Sequence, residues 1–206
     1  MDDAEFDRAL IAAAFQVAAE KGWRSLSVGA AARAAALPLA RARERFPGRA
    51  AILLKFGRLA DQSALETEPS DGPVRDRLFD LLMRRIDALQ SHRAGILALL
   101  HALPTEPPAA LLLALATRRS MRWMLDAAGI PTAGLKGELR VRGLMAVWLW
   151  TVRAWRADET EDLSATMAAL DAALQRAEQA AGWLGWHAKP TPEEPSPEPA
   201  KDAAPS

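Results

Sequence analysis

Positive charge is the first chemistry legible in this sequence. Between Gly22 and Arg58 stand Arg24, Arg33, Arg41, Arg43, Arg45, Arg49, Lys55 and Arg58, against a single acid, Glu44. The segment therefore carries +7, although the whole chain balances 26 basic against 26 acidic residues. A guanidinium is planar, always charged and able to hold phosphate oxygens two at a time. A block this lopsided predicts an anionic partner, above all the phosphate backbone of double-stranded DNA. Arg41, Arg43 and Arg45 step by two residues, which is about 200° round a helix per step. They cannot all face one groove, so some would reach phosphates while another reads a base edge. This reading requires the charge of residues 22–58 to face outward as one surface.

The remaining reactive side chains are sparse. His92, His101 and His187 are far apart, and His101 sits in an apolar stretch that predicts a hydrogen-bonded core residue. Asp158, Glu159, Glu161 and Asp162 could in principle do acid–base work. At a helix start they are better explained by the favourable dipole. There is no phosphate-binding Gly loop, no dinucleotide Gly motif and no nucleophile elbow. No His, Asp or Glu set has metal spacing. The expectation is a protein that is not an enzyme, with no catalytic residues, no metal and no cofactor. The chain lacks Cys, which excludes disulfides and thiolate metal sites.

Several elements must position the basic residues. Phe6, Leu10, Ala13 and Val17 lie on one face of a first helix, with Asp2 or Asp3 as its cap and Gly22 at its end. Ser27 predicts the cap of a short second helix with Val28, Ala31, Ala32 and Ala35 inward. Pro38 suits the first turn of a third helix that ends near Phe46, Pro47 and Gly48. A fourth helix presents Ile52, Leu53, Phe56, Leu59 and Ala60. Three short helices with the third rich in Arg suggest a helix-turn-helix. Pro69, Ser70, Asp71, Gly72 and Pro73 mark a linker. Longer helices follow over about 74–89 with a continuation to 103, then over about 109–128, 136–157 and 161–181. The fold class is all-α: a helix-turn-helix unit over 1–66, a linker over 67–73, a larger helical bundle over 74–187 and a disordered tail over 188–206. The acidic start and the shortness of every apolar run predict no leader and no stable membrane insertion, hence a cytoplasmic protein.

The spacing of Gly22-Trp23, Ser27-Val28, Ala31-Ala32, Ala35-Ala36-Leu37, Phe46 and Arg49 resembles the signature of the TetR family of transcriptional regulators. The resemblance covers roughly the first sixty residues. It departs from the family at Ala36, where the turn Gly is usual, at Pro38, where a polar cap is common, and at Arg43 and Arg45, which replace Tyr and His. The resemblance implies a homodimer that sets two third helices in successive major grooves of DNA. The DNA-binding residues it implies are Ser27, Arg33, Pro38, Leu39, Arg41, Ala42, Arg43, Arg45 and Arg49. Arg49, at the start of the fourth helix, would join the helix N-terminal amides on a phosphate.

The second half is rich in Trp, and residues 144–152 are apolar on nearly every side, which predicts a helix buried all round or shared with a partner. Trp123, Met124, Met145, Trp148 and Trp155 are candidates to line a pocket for an apolar small molecule. Asp76-Arg77-Leu78, Arg84-Arg85, Trp155, residues 158–162 and residues 166–170 also resemble the lipid-binding accessory family of ubiquinone biosynthesis, as do Phe46-Pro47-Gly48 and Leu59-Ala60-Asp61. That second resemblance implies a TetR-like fold with a degenerate helix-turn-helix and an isoprenoid lipid as ligand. On that reading, Trp183, Leu184 and Trp186 would form an interfacial anchor.

Overall fold

The computed structural model describes residues 1–68 and 72–183. Among these, all regular structure is helical: α1 (Asp3–Lys21), α2 (Val28–Ala34), α3 (Leu39–Arg45), α4 (Arg49–Leu65), α5 (Val74–Gln90), α6 (Arg93–Ala102), α7 (Pro107–Ala127), α8 (Gly134–Ala157) and α9 (Ser164–Trp183). Short 3-10 turns occupy Trp23–Ser25 and Leu103–Thr105.

Local chemistry accounts for the first three helices. Asp2 accepts from the Glu5 amide while the Glu5 carboxylate accepts from the Asp2 amide, a reciprocal cap that fixes the start of α1. Gly22 ends it at φ +80°, where a side chain would be strained. Ser27 Oγ accepts from the Ala30 amide at 3.0 Å and starts α2. The turn between α2 and α3 passes through Ala36 at φ +53°. The left-handed region costs a non-Gly residue about 1–2 kcal/mol, so the turn does call for the glycine that the sequence lacks there. Pro38 stands one residue ahead of α3 rather than inside its first turn. Its fixed φ of −61° and extended ψ of 122° aim the chain into the helix.

Packing then joins the pieces. Phe6, Leu10, Ala14 and Val17 of α1 are buried, as are Ala42 and Phe46, which pin α3. α1 lies so close against α6 that a Cβ added to Gly95 would sit 2.2 Å from the Phe15 carbonyl oxygen. Leu81, Leu82 and Ile86 of α5, Met121 and Met124 of α7, Val141 and Trp155 of α8 and Leu170 of α9 fill the larger bundle. One apolar cluster runs unbroken from Phe6 to Leu174. The helix-turn-helix and the bundle therefore share a core, each buried Leu, Ile or Phe contributing about 1.5–3 kcal/mol.

Four expectations are corrected. α7 starts at Pro107, because Pro107 and Pro108 fit a first turn whose amides need no partner. α9 starts at Ser164, because Asp158 organises residues 158–163 into a separate turn. His101 is exposed, since the inward positions of α6 go to Ile96 and Leu99. Residues 144–152 are not buried all round: Leu144, Val147, Trp148 and Thr151 are, but Leu149 and Trp150 are 59% and 51% exposed. Residues 69–71 of the expected linker, the tail over 188–206 and Leu184 and Trp186 of the expected anchor lie outside what the structure describes; the third anchor residue, Trp183, ends α9. No single described helix is long and apolar enough to cross a membrane.

Candidate nucleic-acid interface and apolar cavity

The basic segment does not form one outward surface. α1 carries Asp3 and Asp7, one turn apart, on the face that α3 and α4 approach. Arg41 donates to Asp3 at 2.6 Å and also to the Met1 carbonyl. Arg45 holds Asp7 through two bonds of 2.6 and 2.9 Å and pairs with Asp3 as well. Lys55 of α4 reaches the same Asp7 at 2.6 Å. Desolvation works against the Asp7 carboxylate, yet the bonds from Arg45 and Lys55 outweigh it and hold its pKa below the ordinary range. Two of these cations also cover aromatic rings, Arg41 over Phe6 and Lys55 over Phe46.

Arg49 is also engaged. It donates to the Trp23 carbonyl at 3.2 Å and pairs with Glu106, just ahead of α7, at 3.3 Å. The expected phosphate clamp is here a tie between the helix-turn-helix and the bundle. Four of the eight basic residues are thus bound to carboxylates. Arg24, Arg33 and Arg43 are exposed and form no ion pair among the described residues. Of the other candidates, Ser27 is exposed but caps α2 through its hydroxyl. Pro38 and Leu39 are exposed at the start of α3. Ala42 is corrected: it is 1% exposed and faces the core, so it cannot touch a ligand. The outward face of α3 therefore offers Leu39, Ala40, Arg43 and the acid Glu44. Asp3, Asp7 and Glu106 were missed in the sequence. The i, i+4 spacing of the two α1 acids was visible, but not that α3 would cross over them.

The second feature is a cavity of about 820 Å³ between α4, α5, α6, α7 and α8. Its walls are mostly apolar. Of the five pocket candidates, Trp123, Met145 and Trp148 line it. Met124 and Trp155 do not. Met124 is fully buried elsewhere in the core, and Trp155 is fully buried with its indole N–H donating to Gln90 at 2.8 Å. Trp123, 54% exposed, stands at the mouth.

A polar group quoted above only for the second resemblance, and not as a site residue, sits in the wall. Arg85 of α5 is buried, pairs with Asp61 of α4 and lies 5.1 Å from the centre of the Trp148 ring. Ser120 of α7 donates to the other Asp61 oxygen at 2.7 Å. Burial pulls the Arg85 pKa down, while the adjacent carboxylate favours the charged form. The pair bridges α4 to the bundle. Only its position in an amphipathic helix with buried Leu81, Leu82, Ile86 and Leu89 could have flagged Arg85.

The residues behind the second resemblance have structural duties. Arg77 donates to the Ala128 carbonyl beyond the end of α7, and Arg84 to the Ala64 and Thr67 carbonyls at the end of α4. Asp158 accepts from the hydroxyls and amides of Thr160 and Thr166. Those bonds, led by the Thr160 hydroxyl, hold its pKa far below the usual carboxylate range. Arg93 closes the end of α8 by donating to the Trp155, Arg156 and Asp158 carbonyls. No group of three or more His, Asp or Glu able to hold a metal occurs among the described residues.

Sequence comparison finds no matching protein-family model and no matching curated protein. Solved structures do match. A TetR transcriptional regulator from Nitrosomonas europaea ATCC 19718 superposes with a TM-score of 0.69 at 22% identity, covering 85% of this chain and 99% of that one. A TetR-family regulator from Streptomyces coelicolor gives 0.61 at 20% identity, covering 90% and 87%. A TetR regulator from Rhodococcus sp. RHA1 gives 0.58 at 17% identity, covering 85% and 97%. From its capped first helix to α9, this chain has the all-α fold of the TetR transcriptional regulators.

Proposed function

We propose that the protein is a homodimeric, DNA-binding transcriptional regulator that responds to a small molecule with a largely apolar body. The observation that carries this is the third helix: Ala42 and Phe46 lock it onto the core while Leu39 and Arg43 stay exposed. Arg33 of α2 and Arg24 are further exposed cations of this unit. Such a helix suits a major groove, with Arg43 at a base edge or phosphate and the other two cations on the backbone. Arg41 and Arg45 act differently: bound to Asp3 and Asp7, they fix the angle of α3. This replaces the expectation that all three arginines meet DNA.

α4 links the two sites. Its first turn carries Arg49, tied to Trp23 and Glu106, and its later turns supply Leu53, Phe56 and Asp61 to the cavity. A molecule that moves α4 would shift the helix-turn-helix relative to its copy in the dimer. It does so only to the extent that it binds one arrangement better than the other. The dimer reading is supported by exposed apolar residues at the two ends of α8, Leu135 and Leu139 at one and Leu149 and Trp150 at the other. Isolated exposed Leu residues need no explanation, but several on one helix with a Trp fit a subunit face.

The test is binding of the purified chain to DNA from its own promoter, against random DNA, over a salt series. Arg43→Ala should weaken binding and lower the salt slope by about one ion. Arg41→Ala should change the slope less, because Asp3 already neutralises that group. Equal affinity for promoter and random DNA would defeat the proposal.

A further inference from the structure

The cavity wall is apolar, but its charges are unequal. Arg58, Arg85 and Arg119 line it, against Asp61 alone. Arg58 and Arg119 are exposed and form no ion pair among the described residues. Arg85 is different in kind. Its side chain is 7% exposed, it has Asp61 as its single carboxylate, and its Nε has no hydrogen-bond partner. A guanidinium has five N–H donors. A buried donor left without an acceptor is unfavourable by about 1–3 kcal/mol, and more when charged. An apolar pocket with one such group is a site that a matching acceptor would complete.

We propose that the cavity takes an organic acid: an apolar body bearing one carboxylate, which docks among the three cations of the wall, Arg58, Arg85 and Arg119. The apolar body lies along Phe56 and Trp148. Asp61 stays on Ser120 and its own side of the guanidinium, and its repulsion of the ligand carboxylate is offset by Arg58 and Arg119. A neutral molecule of the same shape gains the apolar contacts but leaves those cations without a counter-charge. The carboxylate thus decides which of two similar apolar molecules is held. This inference rests on reading the cavity as the effector site.

The test uses the full chain without DNA. Tryptophan fluorescence and calorimetry would follow two matched pairs: dodecanoate against dodecan-1-ol, and 4-phenylbenzoate against 4-phenylphenol. At least one acid should bind ten-fold or more tightly than its neutral partner. In the double variant Asp61→Leu with Arg85→Met, that advantage should shrink to about three-fold or less. Circular dichroism would verify that the variant is folded. Equal affinity within both pairs, no binding of any probe, or an acid preference that survives the double variant would each overturn the inference. A DNA-release assay separates it from the regulator reading. Acid binding that leaves DNA affinity unaltered defeats the regulator reading alone, and release by alcohol and acid alike defeats this inference alone.

Discussion

The ion pair between Asp61 and Arg85 gives the sharpest test of the physical argument. Both side chains are largely withdrawn from water, at 17% and 7% exposure. Removing one partner strands the other charge in an apolar wall, which destabilises by about 3–5 kcal/mol. Removing both and filling the space with apolar side chains avoids that penalty. Arg85→Met keeps a long flexible chain beside the Trp148 ring, where sulfur replaces the guanidinium contact. Asp61→Leu takes an acceptor from Ser120, but that hydroxyl keeps its bond to the Ala116 carbonyl at 3.2 Å. The double variant should therefore lie within about 1 kcal/mol of the parent, and each single variant about 3–5 kcal/mol below it. For a chain of this size, that is a drop in Tm of roughly 6–20 °C for each single change. Urea denaturation at fixed protein concentration measures the cycle, since a dimer's apparent stability follows concentration. Single variants within about 0.5 kcal/mol of the parent, or a double variant as unstable as the sum of the singles, would refute the buried-pair argument.

Other outcomes follow from the same geometry. Ala36→Gly should raise stability by up to about 1 kcal/mol, because relief of the left-handed strain exceeds the entropy glycine loses; a lower urea midpoint would count against the turn as described. His92 stacks on Phe15 at 5.3 Å and meets Phe56 edge-on at 5.6 Å, and burial lowers its pKa. Its neutral form is therefore the native one. That contribution is complete above the ordinary value of 6.5 and is lost as pH falls through the lowered folded value. Between pH 7.5 and 5 the parent's Tm should fall more than that of His92→Phe, whereas parallel curves would exclude the effect. Leu149→Glu combined with Trp150→Glu should give a monomer by analytical ultracentrifugation with unchanged helical circular dichroism. A dimer that persists in that variant would move the subunit face elsewhere.

Local signals in the chain determined the fold class and most element ends. Asp2, Gly22 and Ser27 cap through bonds to residues three or four positions away, so the sequence alone located α1 and α2. The spacing of Leu81, Leu82 and Ile86 likewise marked α5, because burial follows helical period. The need for a special backbone at Ala36 came from the family resemblance, which places a turn Gly at that position. The fate of the charges was not readable. Arg41, Arg45 and Lys55 meet Asp3 and Asp7 from thirty-eight to forty-eight positions away. Arg49 meets Glu106 across the two units, and Arg85 meets Asp61 inside the cavity wall. A charge block reports composition, whereas its display depends on which helices cross. Trp155 and Met124 likewise have the right type for a pocket, but only the packing of α7 and α8 turned them into the core and set Trp123 and Trp148 at the cavity. Periodicity and caps act along the chain and are written in it. Ion pairing and cavity lining act between distant helices, so only the folded arrangement decided them.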